Sequence, residues 1–287
     1  MTDYSGKWLV ETDWLANHLD APDVVIIDGS WHLPTANRDG ATEYLAEHIP
    51  GALFFDIDKI ADTNSELPHM LPSPEKFSST MRKMGIGDGK RIVVYDSVGM
   101  FSAARVWWTF RVMGTEDVAV LNGGLPKWKS EGHPLEEGAA PPTSERHFTA
   151  RKNSALVRDA SDVQAASNAG SEQIIDARSA ARFAGEAPEP RAGLRSGHIP
   201  GSLNVPYDVL LNEDGTFKSP PQIKAVFEAA GLDSTKPVVT TCGSGVTASI
   251  LSLALALIGR GDTAVYDGSW TEWGADENLP IETSPAS

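Results

Sequence analysis

Cysteine is nearly absent: the 287-residue chain has one, Cys242. A single thiol closes no intrachain disulfide, so the fold must rest on its cores, and a reducing environment is expected. Basic residues are also scarce. Twenty-four Lys and Arg face 39 Asp and Glu, a net charge of −15 that repels nucleic acid and anionic lipid, so neither is an expected partner. Any anionic substrate must be met by a local cluster of arginines. Long apolar runs are missing as well, since the most apolar stretch, residues 248–258, is too short to span a bilayer. The opening residues MTDYSGKWLVETDWL hold no basic stretch leading into an apolar run and no arginine. Neither a secretory signal nor a transit peptide is expected, and the location read from this is cytoplasmic. What the chain does have is 41% hydrophobic residues, enough for two cores of ordinary size.

The one cysteine stands where chemistry is easy to build. Val238-Val239-Thr240-Thr241 reads as a buried strand, Cys242-Gly243-Ser244-Gly245 as a tight loop, and Val246-Thr247-Ala248-Ser249 as the start of a buried helix. Glycines let the loop backbone close around a central atom with its N–H groups pointing inward. The first N–H groups of a helix are unpaired and carry partial positive charge, so they favour a thiolate. A lone cysteine is by default buried filler. Filler, however, needs neither flanking glycines nor the hydroxyls of Ser244 and Thr247 at the mouth of a strand-to-helix turn, where open α/β sheets bind ligands. Phosphate-ester chemistry on such a loop needs an arginine six positions after the cysteine, and that position is Ala248.

The loop CGSGVTAS resembles the active-site loop of the two-domain rhodanese-like sulfurtransferases, most closely of members that draw sulfur from 3-mercaptopyruvate. The resemblance covers essentially the whole chain. It implies an α/β fold of two tandem rhodanese-like domains, each a mainly parallel sheet with helices on both faces. It also implies an enzyme in which Cys242 takes a sulfur atom as a persulfide and passes it to a thiol, such as a thioredoxin-like protein, or to cyanide, with no metal or organic cofactor. Gly243, Gly245, Val246 and Thr247 would bind the transferred group. Relatives that prefer thiosulfate place basic side chains directly after the cysteine, whereas Gly243 and Ser244 are uncharged. A monocarboxylate donor therefore fits better, with thiosulfate as the alternative and a persulfide carrier that does not turn over as a second one.

The chain also repeats itself once. Glu47-His48-Ile49-Pro50-Gly51 recurs as Gly197-His198-Ile199-Pro200-Gly201, each after a short buried strand ending in aspartate, 24–28 and 173–176. Ile92-Val93-Val94-Tyr95-Asp96 matches the strand ending at Cys242, and Asn122-Gly123-Gly124 with Trp128 matches Asp267-Gly268-Ser269 with Trp273. Short apolar runs alternating with helical patterns in each half predict βα units around a parallel sheet. Thr12 is a candidate cap for an early helix bearing Trp14, Leu15, Ala16 and Leu19, and Ser73 caps another that opens at Pro74. Gly85 and Gly231 suit helix C-termini. A Pro- and Gly-rich stretch around 136–144 divides the chain into a non-catalytic unit, 1–138, a linker, 139–155, and a catalytic unit, 156–287. Asp96 stands where the second half has Cys242, so only that half can carry sulfur.

Comparing the halves exposes an insertion. Glu43 precedes its His-Ile-Pro-Gly by five residues, while Arg182 precedes its own by sixteen. The added loop, 185–195, carries Arg191 and Arg195. The resemblance implies that Arg182 and Arg191 hold the donor's carboxylate and keto groups, a task suited to a planar fork of donors. For each, a surface ion pair with a nearby glutamate is the bland alternative, and it is the expectation for Arg178 and Arg195. The resemblance further places Asp58 and His69 across the domain interface beside Ser244, either as a proton relay or as interface positioners. Arg105 reads as an interface ion-pair residue, and Asp267, Gly268, Ser269 and Trp270 as pocket wall. His48 and His198 read as scaffold, and Trp107, Trp108, Trp128 and Trp273 as core.

Overall fold

The computed structural model describes residues 5–283; the first four residues of the segment read for targeting lie outside them. Two five-stranded parallel sheets are built to one plan. The first contains β1 (Leu9–Val10), β2 (Val24–Asp28), β3 (Leu53–Phe54), β4 (Arg91–Tyr95) and β5 (Val118–Leu121), in the spatial order β1-β5-β4-β2-β3. The second contains β6 (Val157–Arg158), β7 (Gln173–Asp176), β8 (Leu203–Asn204), β9 (Val238–Thr241) and β10 (Ala264–Tyr266), in the order β6-β10-β9-β7-β8. The short apolar runs are strands because both of their faces are buried. In the first sheet Ile27, Ile92, Val94, Val118 and Val120 face one core, while Ile26, Val93, Tyr95, Ala119 and Leu121 face another.

The first of those cores is shared between the two halves. Helices Ala103–Val112 and Val246–Leu257 pack against each other, and the apolar cluster around them includes Ile27 and Val94 from one sheet and Ile175, Val238 and Val265 from the other. Helix Val246–Leu257 is apolar on nearly every face because it is buried between sheets. Strand β9, which leads into Cys242, and its counterpart β4 each precede one of the two helices that meet in this shared core. Trp107, Trp108, Trp128 and Trp273 are wholly buried.

Several expectations need adjusting. Thr12 is the first residue of helix Thr12–Ala16, and Glu11 occupies the cap position without a side-chain bond; Thr12 instead donates its hydroxyl to Glu131. That helix stops short of Leu19. Residues 139–155 are mostly exposed but anchored at a few points. Asp88 N donates to His147 O at 2.9 Å, Ser78 Oγ donates to Phe148 O at 2.6 Å, and Phe148 sits edge-on to Phe77. The Pro74–Lys83 helix is capped by Ser73, which accepts from Lys76 N, and Gly85 and Gly231 adopt left-handed conformations at φ 73° and 94°. His48 and His198 are scaffold: each Nδ1 donates to a backbone carbonyl, Tyr44 O at 2.7 Å and Phe183 O at 2.8 Å.

Candidate active site

Cys242 follows directly on β9 and is 2% exposed. Its carbonyl accepts from Trp270 N at 2.9 Å, and its own N–H donates to Ser269 Oγ at 3.3 Å. Ser269 holds a left-handed backbone at φ 50° and donates its hydroxyl to Tyr266 O. That conformation is costly for a residue with a side chain and persists where surrounding contacts enforce it. Gly245 caps the following helix at φ 76°; a Cβ there would meet Arg105 Nη1 at 2.6 Å and Asp267 O at 3.0 Å. Only glycine fits that approach.

The first half shows what this loop is shaped to hold. Asp96 Oδ1 accepts from Val98 N and Gly99 N, both at 2.9 Å, and Oδ2 accepts from Phe101 N, Ser102 N and Ala103 N at 2.8 to 2.9 Å. The matching amides around Cys242 include those of Ser244, Gly245 and Thr247. Among the described residues these three donate to no protein acceptor. Two loops of the same design thus carry matching N–H groups: in the first half a carboxylate fills them, and in the second Cys242 stands at the position of that carboxylate.

Three elements meet beside the Cys242 loop. The insertion loop brings Arg191 close enough that the charge of Cys242 acts on it; burial depresses the guanidinium, Cys242, Asp58 and Glu189 pull it up, and Arg182 pushes it down, leaving it below the usual arginine range. Helix Ala180–Phe183 brings Arg182, whose Nη2 lies 3.2 Å from where a Cβ on Gly243 would be. The first half brings His69 and Asp58. His69 Nε2 is 3.4 Å from Arg191 Nη2, and Nδ1 is 2.6 Å from Asp58 Oδ1, a close contact whose alignment is poor for a hydrogen bond. Trp31 Nε1 donates to Asp58 Oδ2, and its ring meets His69 edge-on. Burial holds His69 below the usual histidine range, reinforced by Arg105 and Arg191 and opposed by Asp58. Burial pushes Asp58 up, but His69, Trp31 and Arg191 together bring it below the ordinary aspartate value.

Of the residues expected to act together, Arg191, His69 and Asp58 stand side by side, Arg182 lies against Gly243, and Arg191 is within range of the Cys242 charge. Ser244 is buried in the loop, and no hydrogen bond joins its hydroxyl to His69 among the described residues. Arg178 is a wholly buried ion-pair residue and not a surface one. It forks onto Asp176, reaches Glu189 Oε1 at 2.7 Å and lies over the Trp270 ring at 4.2 Å. Trp270 is accordingly a floor beneath Arg178. Arg195 has no carboxylate partner among the described residues; it donates to the carbonyls of Trp273, Gly274, Asp276 and Leu279. Arg105 is the expected interface residue, 2.7 Å from Asp267. Ser269, as the holder of the Cys242 amide, escaped the sequence reading, whereas for Arg182 the bland alternative is met, since its guanidinium pairs with Glu189. Glu189 had a visible signal, a charge fixed between Pro188 and Pro190 inside the arginine-bearing insertion.

Comparison with known proteins agrees with this architecture. The rhodanese-like domain matches twice, over residues 11–131 and 159–276. The chain is 47% identical over 279 residues to 3-mercaptopyruvate sulfurtransferase of Escherichia coli K12, covering 97% of this chain and 99% of that one. It is 43% identical over 272 residues to the thiosulfate sulfurtransferase of Bos taurus, covering 92% and 91%. The crystal structure of SseA from Escherichia coli, described as showing the rhodanese fold and catalytic mechanism of 3-mercaptopyruvate sulfotransferases, superposes with a TM-score of 0.84 at 46% identity, covering 92% of this chain and 99% of that one.

Proposed function

The chain belongs to the rhodanese-like sulfurtransferases and is a sulfur-transferring enzyme; from that premise we propose that it takes sulfur from 3-mercaptopyruvate through a persulfide on Cys242 and hands it to a thiol or cyanide. The catalytic unit is 156–287, joined through 139–155 to a non-catalytic unit, 1–138, that lends His69 and Asp58. The observation that carries this reading is the match between the Cys242 loop, whose Ser244, Gly245 and Thr247 amides have no protein acceptor among the described residues, and the Asp96 loop, whose amides hold an anion.

The Cys242 thiolate attacks the mercapto sulfur of the donor. A sulfur–sulfur bond forms as the carbon–sulfur bond breaks, and the electron pair leaves on the methylene carbon as the enolate of pyruvate. The proton lost from the mercapto group ends on that carbon, giving pyruvate and a Cys242 persulfide anion. Arg191 and Arg182 stabilise the donor carboxylate and the developing enolate oxygen. The outer persulfide sulfur is met by the amides of Ser244, Gly245 and Thr247. A thiolate or cyanide then attacks that sulfur and releases the Cys242 thiolate. Near-complete burial of Cys242 excludes water that would compete. His69, with its ring held by Asp58 and Trp31, serves either to move the proton or to fix Arg191.

Thiosulfate is the second donor, favoured by the identity to the bovine enzyme. No helix among the described residues is long and apolar enough to cross a membrane. Treating the protein with mercaptopyruvate and weighing it intact tests the proposal. One added sulfur on Cys242, removable by cyanide and absent in Cys242→Ser, is expected, and with a thiol acceptor such as thioredoxin present, many turnovers of pyruvate per enzyme. A sulfur found elsewhere defeats the mechanism, and a single stoichiometric burst favours a carrier.

A further inference from the structure

Glu189 lies in the insertion loop with a side chain 2% exposed, between two arginines. Oε1 accepts from Arg178 Nη1 at 2.7 Å and from Arg182 Nε at 3.3 Å, and Oε2 accepts from Arg182 Nη2. The Nε–Nη2 edge of Arg182, the edge that forks best onto a carboxylate, is therefore already occupied. Arg178 in turn is forked onto Asp176. Asp176, Arg178, Glu189 and Arg182 form one buried chain of two anions and two cations, which sums to zero. Arg191 is different, because no carboxylate lies within ion-pair distance of it among the described residues, and its Nη2 instead lies 3.4 Å from His69 Nε2. The acid nearest that pair, Asp58, has a side chain 57% exposed, so water screens much of its charge.

We propose that Glu189 is a specificity-determining residue: by neutralising Arg182 it leaves Arg191 as the single uncompensated cation facing Cys242, so that the pocket suits a monoanionic donor and discriminates against a dianion. The inference rests on the proposed function and deepens it. It gives the neutral loop residues Gly243 and Ser244 a partner, since low positive charge near the sulfur comes both from what the loop lacks and from what Glu189 cancels. Glu189 touches no reacting atom; it acts through Arg182, whose guanidinium it holds beside Gly243.

The test is the ratio of kcat/KM for thiosulfate to kcat/KM for 3-mercaptopyruvate, with cyanide as acceptor, in the full chain. Glu189→Gln keeps shape and hydrogen bonding but removes the charge, and should raise the ratio about tenfold or more, the scale of one added unit charge several ångströms from the donor. Glu189→Asp keeps the charge with a shorter arm, and should change the ratio by less than about threefold even where kcat falls. A ratio unmoved in Glu189→Gln, or moved equally in both variants, overturns the proposal. The unaltered enzyme provides a second measurement that no folding defect can spoil: pyruvate should compete with the donor more strongly than sulfate, and the reverse order overturns the proposal. If the unaltered enzyme releases no pyruvate from mercaptopyruvate, the functional reading fails; if it does and the ratio stays put, only this inference fails.

Discussion

Arg105 Nη2 lies 2.7 Å from Asp267 Oδ1, and both side chains are buried at the seam between the two halves. The same guanidinium donates to the carbonyls of His69 and Gly245, and Asp267 also accepts from Leu71 N at 2.9 Å. One ion pair thus fixes the segment carrying His69 against the loop carrying Cys242. Removing one partner of a buried pair strands the other charge, at a cost of about 3–5 kcal/mol. Arg105→Met should lower the urea midpoint accordingly and reduce kcat at temperatures where the protein stays folded. An unchanged midpoint would show that this pair is dispensable.

The two amide rings allow the repeat to be tested against itself. Asp96→Ala leaves five N–H groups without their acceptor and should cost roughly 3 kcal/mol or more, read from denaturant unfolding. Asp96→Cys combined with Cys242→Ser moves the thiol into the first ring. No pyruvate release is expected there, because the position of Arg182 is held by Glu43, which is itself forked onto Arg38 and bonded to His32 and Ser97. Turnover by that double variant would mean that the ring alone suffices and the arginines do not matter.

Much of this was legible in the chain because local signals and tertiary needs agree. The strands predicted over 24–28 and 173–176 form as read, since a short apolar run ending in aspartate can be buried on both faces. The repeat located Asp96 opposite Cys242, although nothing in it announced that five amides would grip the carboxylate. Partners of buried charges stayed hidden. Whether Arg178 meets solvent or Asp176 and Glu189 depends on how the insertion folds back, which spacing along the chain does not encode. The Arg195 carbonyl contacts and the left-handed backbone of Ser269 are likewise products of packing. Thr12 misled because a capping residue type can equally sit one position inside a helix.

Arg191 is predicted to act on binding more than on fold. Arg191→Ala removes the uncompensated cation and should raise KM for mercaptopyruvate by about 10- to 100-fold, the scale of a lost charge-assisted contact. Thiosulfate loses the same cation but no carboxylate fork, so its use should also fall but by less, and Arg191→Lys, which keeps the charge without the fork, should restore thiosulfate use more fully than mercaptopyruvate use. Steady-state kinetics with both donors decides the matter. Equal losses with the two donors would remove Arg191 from carboxylate recognition.

Asp28 ends β2 where Asp176 ends β7, yet the second half supplies Arg178 as a partner and the first half supplies Ser30. Burial pushes the Asp28 carboxyl up to about 6; hydrogen bonds from Ser30 and Tyr95 oppose the rise and the charge of Asp96 adds to it. In the unfolded chain an aspartate titrates near about 3.9. The folded state therefore prefers the protonated form, and this group's contribution to stability is complete below about pH 4 and is lost as the pH rises through about 6, a difference of about 3 kcal/mol by pH 7. Asp28→Asn keeps an acceptor for Ser30 N without the charge. It should raise stability at pH 7 by up to about 2–3 kcal/mol and change it little at pH 4, so the gap between variant and unaltered protein should open as pH rises. Thermal unfolding of both proteins across that range provides the measurement. A gap independent of pH, or one that closes toward neutrality, would mean that Asp28 carries no buried charge worth removing.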